Sequence, residues 1–191
     1  MQTVNRLVSP QIKALKIMVV DDEPYMRKVT RTILSAIGVG TIWEAADGAA
    51  GLQLAATKHP DIIIVDWEMP LIDGPQFVQM IRTPGKFPIP DTPIIILSAH
   101  SDQWRVVESA RIGANEFVRK PVSIKTLGDR IVAIINRPKP TVNLAGYCGP
   151  APRRVAAPFD ALARPGDAAA FAFAAIEDQR AKVAAVAQAA K

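Results

Sequence analysis

Four separated strand-like segments in this chain each lead to residues capable of polar chemistry. Lys16-Ile17-Met18-Val19-Val20 ends on Asp21-Asp22, and Ile62-Ile63-Ile64-Val65 ends on Asp66. Pro93-Ile94-Ile95-Ile96-Leu97 lands on Ser98, and Asn115-Glu116-Phe117-Val118 leads to Lys120-Pro121. The first three, dominated by aliphatic residues, read as buried strands, and the fourth as the last strand. The segment Trp67-Glu68-Met69-Pro70 cannot extend a central strand, because proline has no ladder donor. Crowded carboxylates repel one another, and their pKa values rise unless a cation sits among them. Ligands that are all oxygen suit a hard cation, and Mg²⁺ binds through one or two carboxylates while keeping several waters. Lys120 would add a mobile ammonium and Ser98 a hydroxyl. Cation, ammonium and hydroxyl around one carboxylate make a site for three phosphoryl oxygens. An aspartate so placed can attack phosphorus and form an acyl phosphate.

The elements that must position these groups follow from the spacing between them. Pro24 suits a first helical turn, Met26, Val29, Ile33 and Ile37 recur at helical spacing, and Gly38 stops the helix. Thr41–Ala45 reads as a short strand, and Asp47-Gly48 opens a helix carried by Leu52 and Ala55 that ends at His59-Pro60. A helix is expected from about Gly74 through Phe77, Met80 and Ile81, followed by a proline-rich loop over residues 83–90. Residues 102–111 read as a helix with Val106, Val107 and Ala110 inward, closed by Gly113. Ser123 can cap a last helix whose stripe is Ile124, Leu127, Ile131 and Ile134. Strand and helix alternate about five times. The chain is therefore expected to be an α/β protein: a doubly wound, five-stranded parallel sheet with helices on both faces and its strand ends sharing one edge.

Outside this unit the composition changes. Residues 1–13 show no sustained periodicity and read as a flexible lead-in to a domain over 14–137. Acidic and basic residues balance within 14–137, so the net charge of +5 belongs to the two ends. Repeated prolines make 138–166 an expected extended linker, and alanine-rich 167–191 reads as a helix with a thin apolar face of Phe173, Ile176, Val183 and Val186. So weak a basic excess argues against nucleic acid as a partner. No apolar run approaches the roughly 20 residues of a membrane span. With one cysteine, Cys148, and no signal pattern at the N-terminus, the expected location is the cytoplasm.

The quoted motifs give residues 16–137 a resemblance to a response-regulator receiver domain of the chemotaxis-regulator type. They are Val20-Asp21-Asp22-Glu23, Val65-Asp66-Trp67-Glu68-Met69-Pro70, Asp73-Gly74, Leu97-Ser98-Ala99 and Phe117-Val118-Arg119-Lys120-Pro121. The resemblance implies a flavodoxin-like sheet of strand order 2-1-3-4-5 in a stand-alone receiver that acts as a switch and not as an enzyme. It implies that Asp66 takes a phosphoryl group from a histidine kinase or a histidine phosphotransfer protein. It implies Mg²⁺ on Asp21, Asp22, Asp66 and the backbone carbonyl of Glu68. Lys120 would pair with the phosphoryl oxygens, its peptide to Pro121 being cis. Ser98 would swing to the phosphoryl group and Phe117 would follow as an aromatic switch, repacking the face made by 102–111, 115–118 and 123–136. That face would bind a downstream protein, or a second copy of the chain.

Glu68 lies two residues past Asp66, and His100 two past Ser98. Both are expected to overhang the pocket and to set the lifetime of the acyl phosphate, His100 pairing with Glu68 or phosphate when protonated. Trp67 would cover the site from beside Asp66. Three rival readings fit less well. An aspartate-nucleophile phosphatase would favour Asp-x-Asp where this chain has Asp66-Trp67-Glu68. A transcription factor would need the basic tail to contact DNA. A flavin-binding relative would need a Ser/Thr-Gly phosphate loop after the first strand, and none follows here.

Overall fold

The computed structural model describes residues 9–144 and 146–151. Five strands, β1 (Lys16–Val20), β2 (Thr41–Ala45), β3 (Ile62–Asp66), β4 (Ile94–Ser98) and β5 (Glu116–Arg119), form one parallel sheet in the order β2-β1-β3-β4-β5. The central strands β3 and β4 are buried along their whole length, as uninterrupted aliphatic runs require. Edge strand β2 buries only Ala45 fully.

Side chains alternate across the sheet and divide the core in two. Met18, Val20, Ile63 and Val65 face α3 (Gly48–Lys58) and α4 (Gly74–Arg82), where Ala55 and Phe77 are buried. Ile17, Val19, Ile62 and Ile64 face α2 (Pro24–Ile37) and α6 (Ile124–Asn136), which bury Leu34, Ile37, Leu127 and Ile131. The remaining sheet helix, α5 (Gln103–Arg111), precedes β5. The expected doubly wound sheet and its strand order are both present.

Several expectations about individual segments need correcting. Within the expected lead-in, Pro10–Ala14 forms a short helix, α1, capped by the Ser9 side chain and anchored by Ile12 at 2% exposure. One turn is too short to leave a periodic signal, so tertiary burial of a single isoleucine decides it. Val106, expected inward, and Ile124, expected in the apolar stripe, are exposed, as is Met80; α4 buries Val78 beside Phe77 and Ile81, and α5 buries Ser109.

Part of the expected 138–166 linker is structured. β6 (Thr141–Leu144) and β7 (Tyr147–Pro150) pair as an antiparallel hairpin, with Gly146 at φ 83° in the turn. Its prolines misled the reading because they sit at the open end, where Pro150 faces Thr141 and Ala151 N–H donates to the Pro140 carbonyl. The rest of that linker and the expected 167–191 helix lie outside the described residues.

Candidate functional site

Parallel register brings the polar strand ends together. Val20 lies opposite Val65, and Asp66 lies opposite Leu97, so Asp21, Asp66 and Ser98 meet at one edge. Lys120 joins them because its N–H donates 2.7 Å to the Ser98 carbonyl. The Lys120–Pro121 peptide is cis, as expected.

Two loops set the site's outer wall. Arg27 Nη1 donates 2.8 Å to the Asp21 carbonyl and 3.2 Å to that of Asp22, which holds the acidic pair against α2. Past Asp66 the chain folds back so closely that a Cβ on Gly74 would collide with the Asp66 carbonyl, so glycine is needed there. Asp73 then caps α4 through a capping box with Gln76.

Lys120 Nζ sits 2.9 Å from Asp66 Oδ1 and 3.0 Å from Asp21 Oδ2. Asp21 is 1% exposed and Asp66 8%, while Asp22 is exposed. Burial pushes the Asp66 carboxyl up to about 6, against the pull of Lys120. Burial also works against the ammonium, yet its bonds to Asp66 and Asp21 outweigh it and raise its pKa. The pair thus supports Lys120 more than Asp66, since the lysine has two carboxylate partners and Asp66 has Asp21 as a neighbouring anion. Carboxylate oxygens of Asp21, Asp22 and Asp66 lie within 4.8 Å of one another. Three carboxylates against one ammonium leave net negative charge on an all-oxygen donor set, which fits a small hard cation.

Ser98 is 1% exposed, and its Oγ accepts from His100 N–H at 3.1 Å and from Arg105 Nη1 at 3.4 Å. Trp67 is buried, with Phe117 edge-on to it at 6.2 Å. Glu68 and His100 are both exposed, with His100 Nε2 3.9 Å from Glu68 Oε1. The closer cation to Glu68 is Arg105, whose Nη1 lies 2.9 Å from the same oxygen. Sequence reading missed Arg105 and Arg27. Neither follows an aliphatic run, and their reach depends on where α5 and α2 begin relative to the strand ends.

A family model for the response regulator receiver domain matches residues 17–132. The chain belongs to this family. Its receiver domain is 37% identical over 122 residues to a protein of Porphyridium aerugineum named "Probable transcriptional regulator ycf27", a match covering 64% of this chain and 48% of that protein. It is 28% identical over 125 residues to chemotaxis protein CheY-3 of Vibrio cholerae, covering 65% of this chain and 95% of that one. Among solved structures, the Francisella response regulator 1452 receiver domain superposes with a TM-score of 0.58 at 30% identity, covering 65% of this chain and 99% of that one. The chain spans about half the length of the ycf27 relative and nearly all of the chemotaxis protein. This receiver domain is a two-component signalling module, and none of its described helices is long and apolar enough to cross a membrane.

Proposed function

We propose that Asp66 accepts a phosphoryl group from a phosphohistidine of a histidine kinase or a phosphotransfer protein. The observation that supports this most directly is Lys120 Nζ at 2.9 Å from Asp66 Oδ1, with two further carboxylates beside it. A carboxylate oxygen of Asp66 forms the new P–O bond as the P–N bond to the donor imidazole breaks. The imidazole nitrogen keeps the bonding pair and is protonated as it leaves. When bound, Mg²⁺ on Asp21, Asp22, Asp66 and the Glu68 backbone carbonyl would neutralise phosphoryl charge. Lys120 is already placed to pair with a phosphoryl oxygen and to keep Asp66 anionic.

The phosphoryl group adds close to two negative charges at neutral pH. Ser98 and Lys120 are drawn toward it and Phe117 turns, repacking the face of α5, β5 and α6. That face then gains or loses a protein partner, a second copy of the chain included. The group shifts this equilibrium only by its differential contacts in the two states. The chain acts as a switch with at most slow self-dephosphorylation, whose rate Glu68 and His100 adjust.

Mass spectrometry after incubation with a phosphorylated histidine kinase and Mg²⁺ tests this reading. One added phosphoryl group is expected on the wild type and none on Asp66→Ala. The ycf27 relative, named a probable transcriptional regulator, favours a second reading, in which the regulator acts on transcription. A salt-sensitive gel shift with the full chain would support it.

A further inference from the structure

Arg105, on the first turn of α5, has a side chain only 15% exposed. Its guanidinium lies 5.2 Å from the ring centroids of both Trp67 and Trp104, which meet edge to face at 5.8 Å. Nη1 forms an ion pair with Glu68 Oε1 at 2.9 Å and donates to Ser98 Oγ at 3.4 Å. Nε is buried without a hydrogen bond, the Asp102 carboxylate standing 3.9 Å away. The guanidinium is therefore held by two rings and by carboxylates at 2.9 and 3.9 Å, while its Nε makes no hydrogen bond. Trp67, one ring of this cluster, also meets Phe117 edge to face.

We infer that Arg105 is a latch on the unphosphorylated state, a positioning residue that ties the Ser98 hydroxyl to Glu68 beside Trp67 and Trp104. The inference rests on the proposed role of Asp66. Two donors, His100 N–H and Arg105 Nη1, converge on the Ser98 oxygen from the segment after β4. For Ser98 to follow a phosphoryl group, the Arg105 contact must open. Phe117 cannot turn without leaving the ring that Arg105 steadies. Both movements thus work against the same guanidinium, and its grip holds the inactive population high. Planarity matters here. A lysine keeps the charge but offers neither a planar, delocalised cation to the indole rings nor the same reach to Glu68 and Ser98 together.

The test uses the full chain with Mg²⁺ and beryllofluoride, a phosphoryl mimic, in wild type and two charge-conserving variants, Arg105→Lys and Trp104→Leu. Two quantities are read: the beryllofluoride concentration at half saturation, and the chemical shift of the His100 amide, which reports where the Ser98 oxygen sits. Both variants are expected to saturate at about threefold lower beryllofluoride, in keeping with one partly exposed ion pair. Without beryllofluoride, their His100 amide should lie part way toward its saturated position. Midpoints equal to or above wild type, or an unmoved His100 amide, overturn the latch. A wild type that does not respond to beryllofluoride defeats the Asp66 reading itself, and the latch with it.

Discussion

The two edges of the sheet handle buried charge in opposite ways. At the carboxyl edge, Asp21 and Asp66 share Lys120, and burial still raises Asp66 to about 6. At the amino edge, Arg82 is 1% exposed, and neutral oxygens hold its guanidinium. Nε donates to the Gly113 carbonyl, Nη1 to those of Pro90 and Thr92, and Nη2 to Asn115 Oδ1. Burial pulls the Arg82 pKa down to about 10, so the group stays charged at neutral pH. The hairpin of β6 and β7 lies against this end: a Cβ on Gly149 would strike the Arg82 side chain, and Tyr147 packs on Gly113. One edge keeps charge out of balance for an incoming group to resolve. The other spends its hydrogen bonds on joining α4 to the segments that enter β4 and β5.

If that contrast holds, the largest effect on folding comes from the amino edge. Arg82→Met should lower unfolding free energy by about 3–5 kcal/mol in urea titration, because three carbonyls and Asn115 lose a buried donor. A loss below about 1 kcal/mol would make the cradle incidental. Next in size, Asp66→Asn should stabilise the metal-free protein at neutral pH, with an upper bound of about 3 kcal/mol. The sign follows from the raised carboxyl. The folded state holds the Asp66 proton more tightly than the unfolded chain, so stability falls as pH rises from the ordinary value of 3.8 through about 6. The gain from Asn should therefore vanish below about pH 4, and calorimetry across pH checks it.

Ending the chain at Pro140 instead of Ala151 should cost roughly 2 kcal/mol, since it uncovers Arg82 and Gly113. Matching denaturation midpoints would reduce the hairpin to an ornament. The smallest effect is kinetic. Glu68→Gln should alter acyl-phosphate lifetime more than His100→Ala, because Glu68 is held at 2.9 Å by Arg105 while His100 stands 3.9 Å away. Lifetimes that follow His100 alone would return the tuning role to the imidazole.

The carboxyl edge was readable because Asp21, Asp66 and Ser98 directly follow aliphatic runs and Lys120 closely follows the last strand. A parallel sheet then aligns those ends whatever the loops do. Asp21, Asp66, Ser98 and Lys120 needed no further information. Arg82 gave no such signal: it ends a helix before a proline-rich loop, and its acceptors are mostly main-chain carbonyls, which sequence does not display. Arg105 failed for a related reason, since its contacts depend on where α5 starts after a loop of unstated shape. The hairpin was hidden by proline content, although Pro140 and Pro150 stand at its open end, where a missing donor costs little.

Phosphoryl transfer from a phosphorylated histidine donor, followed in wild type and Asp66→Ala with Mg²⁺ and again with a chelator, addresses the central claim most directly. The wild type should gain one acid-stable, base-labile phosphoryl group only when Mg²⁺ is present, and Asp66→Ala should gain none. Equal labelling of the two proteins would contradict the account, as would a wild type left unlabelled by a donor that labels other receivers.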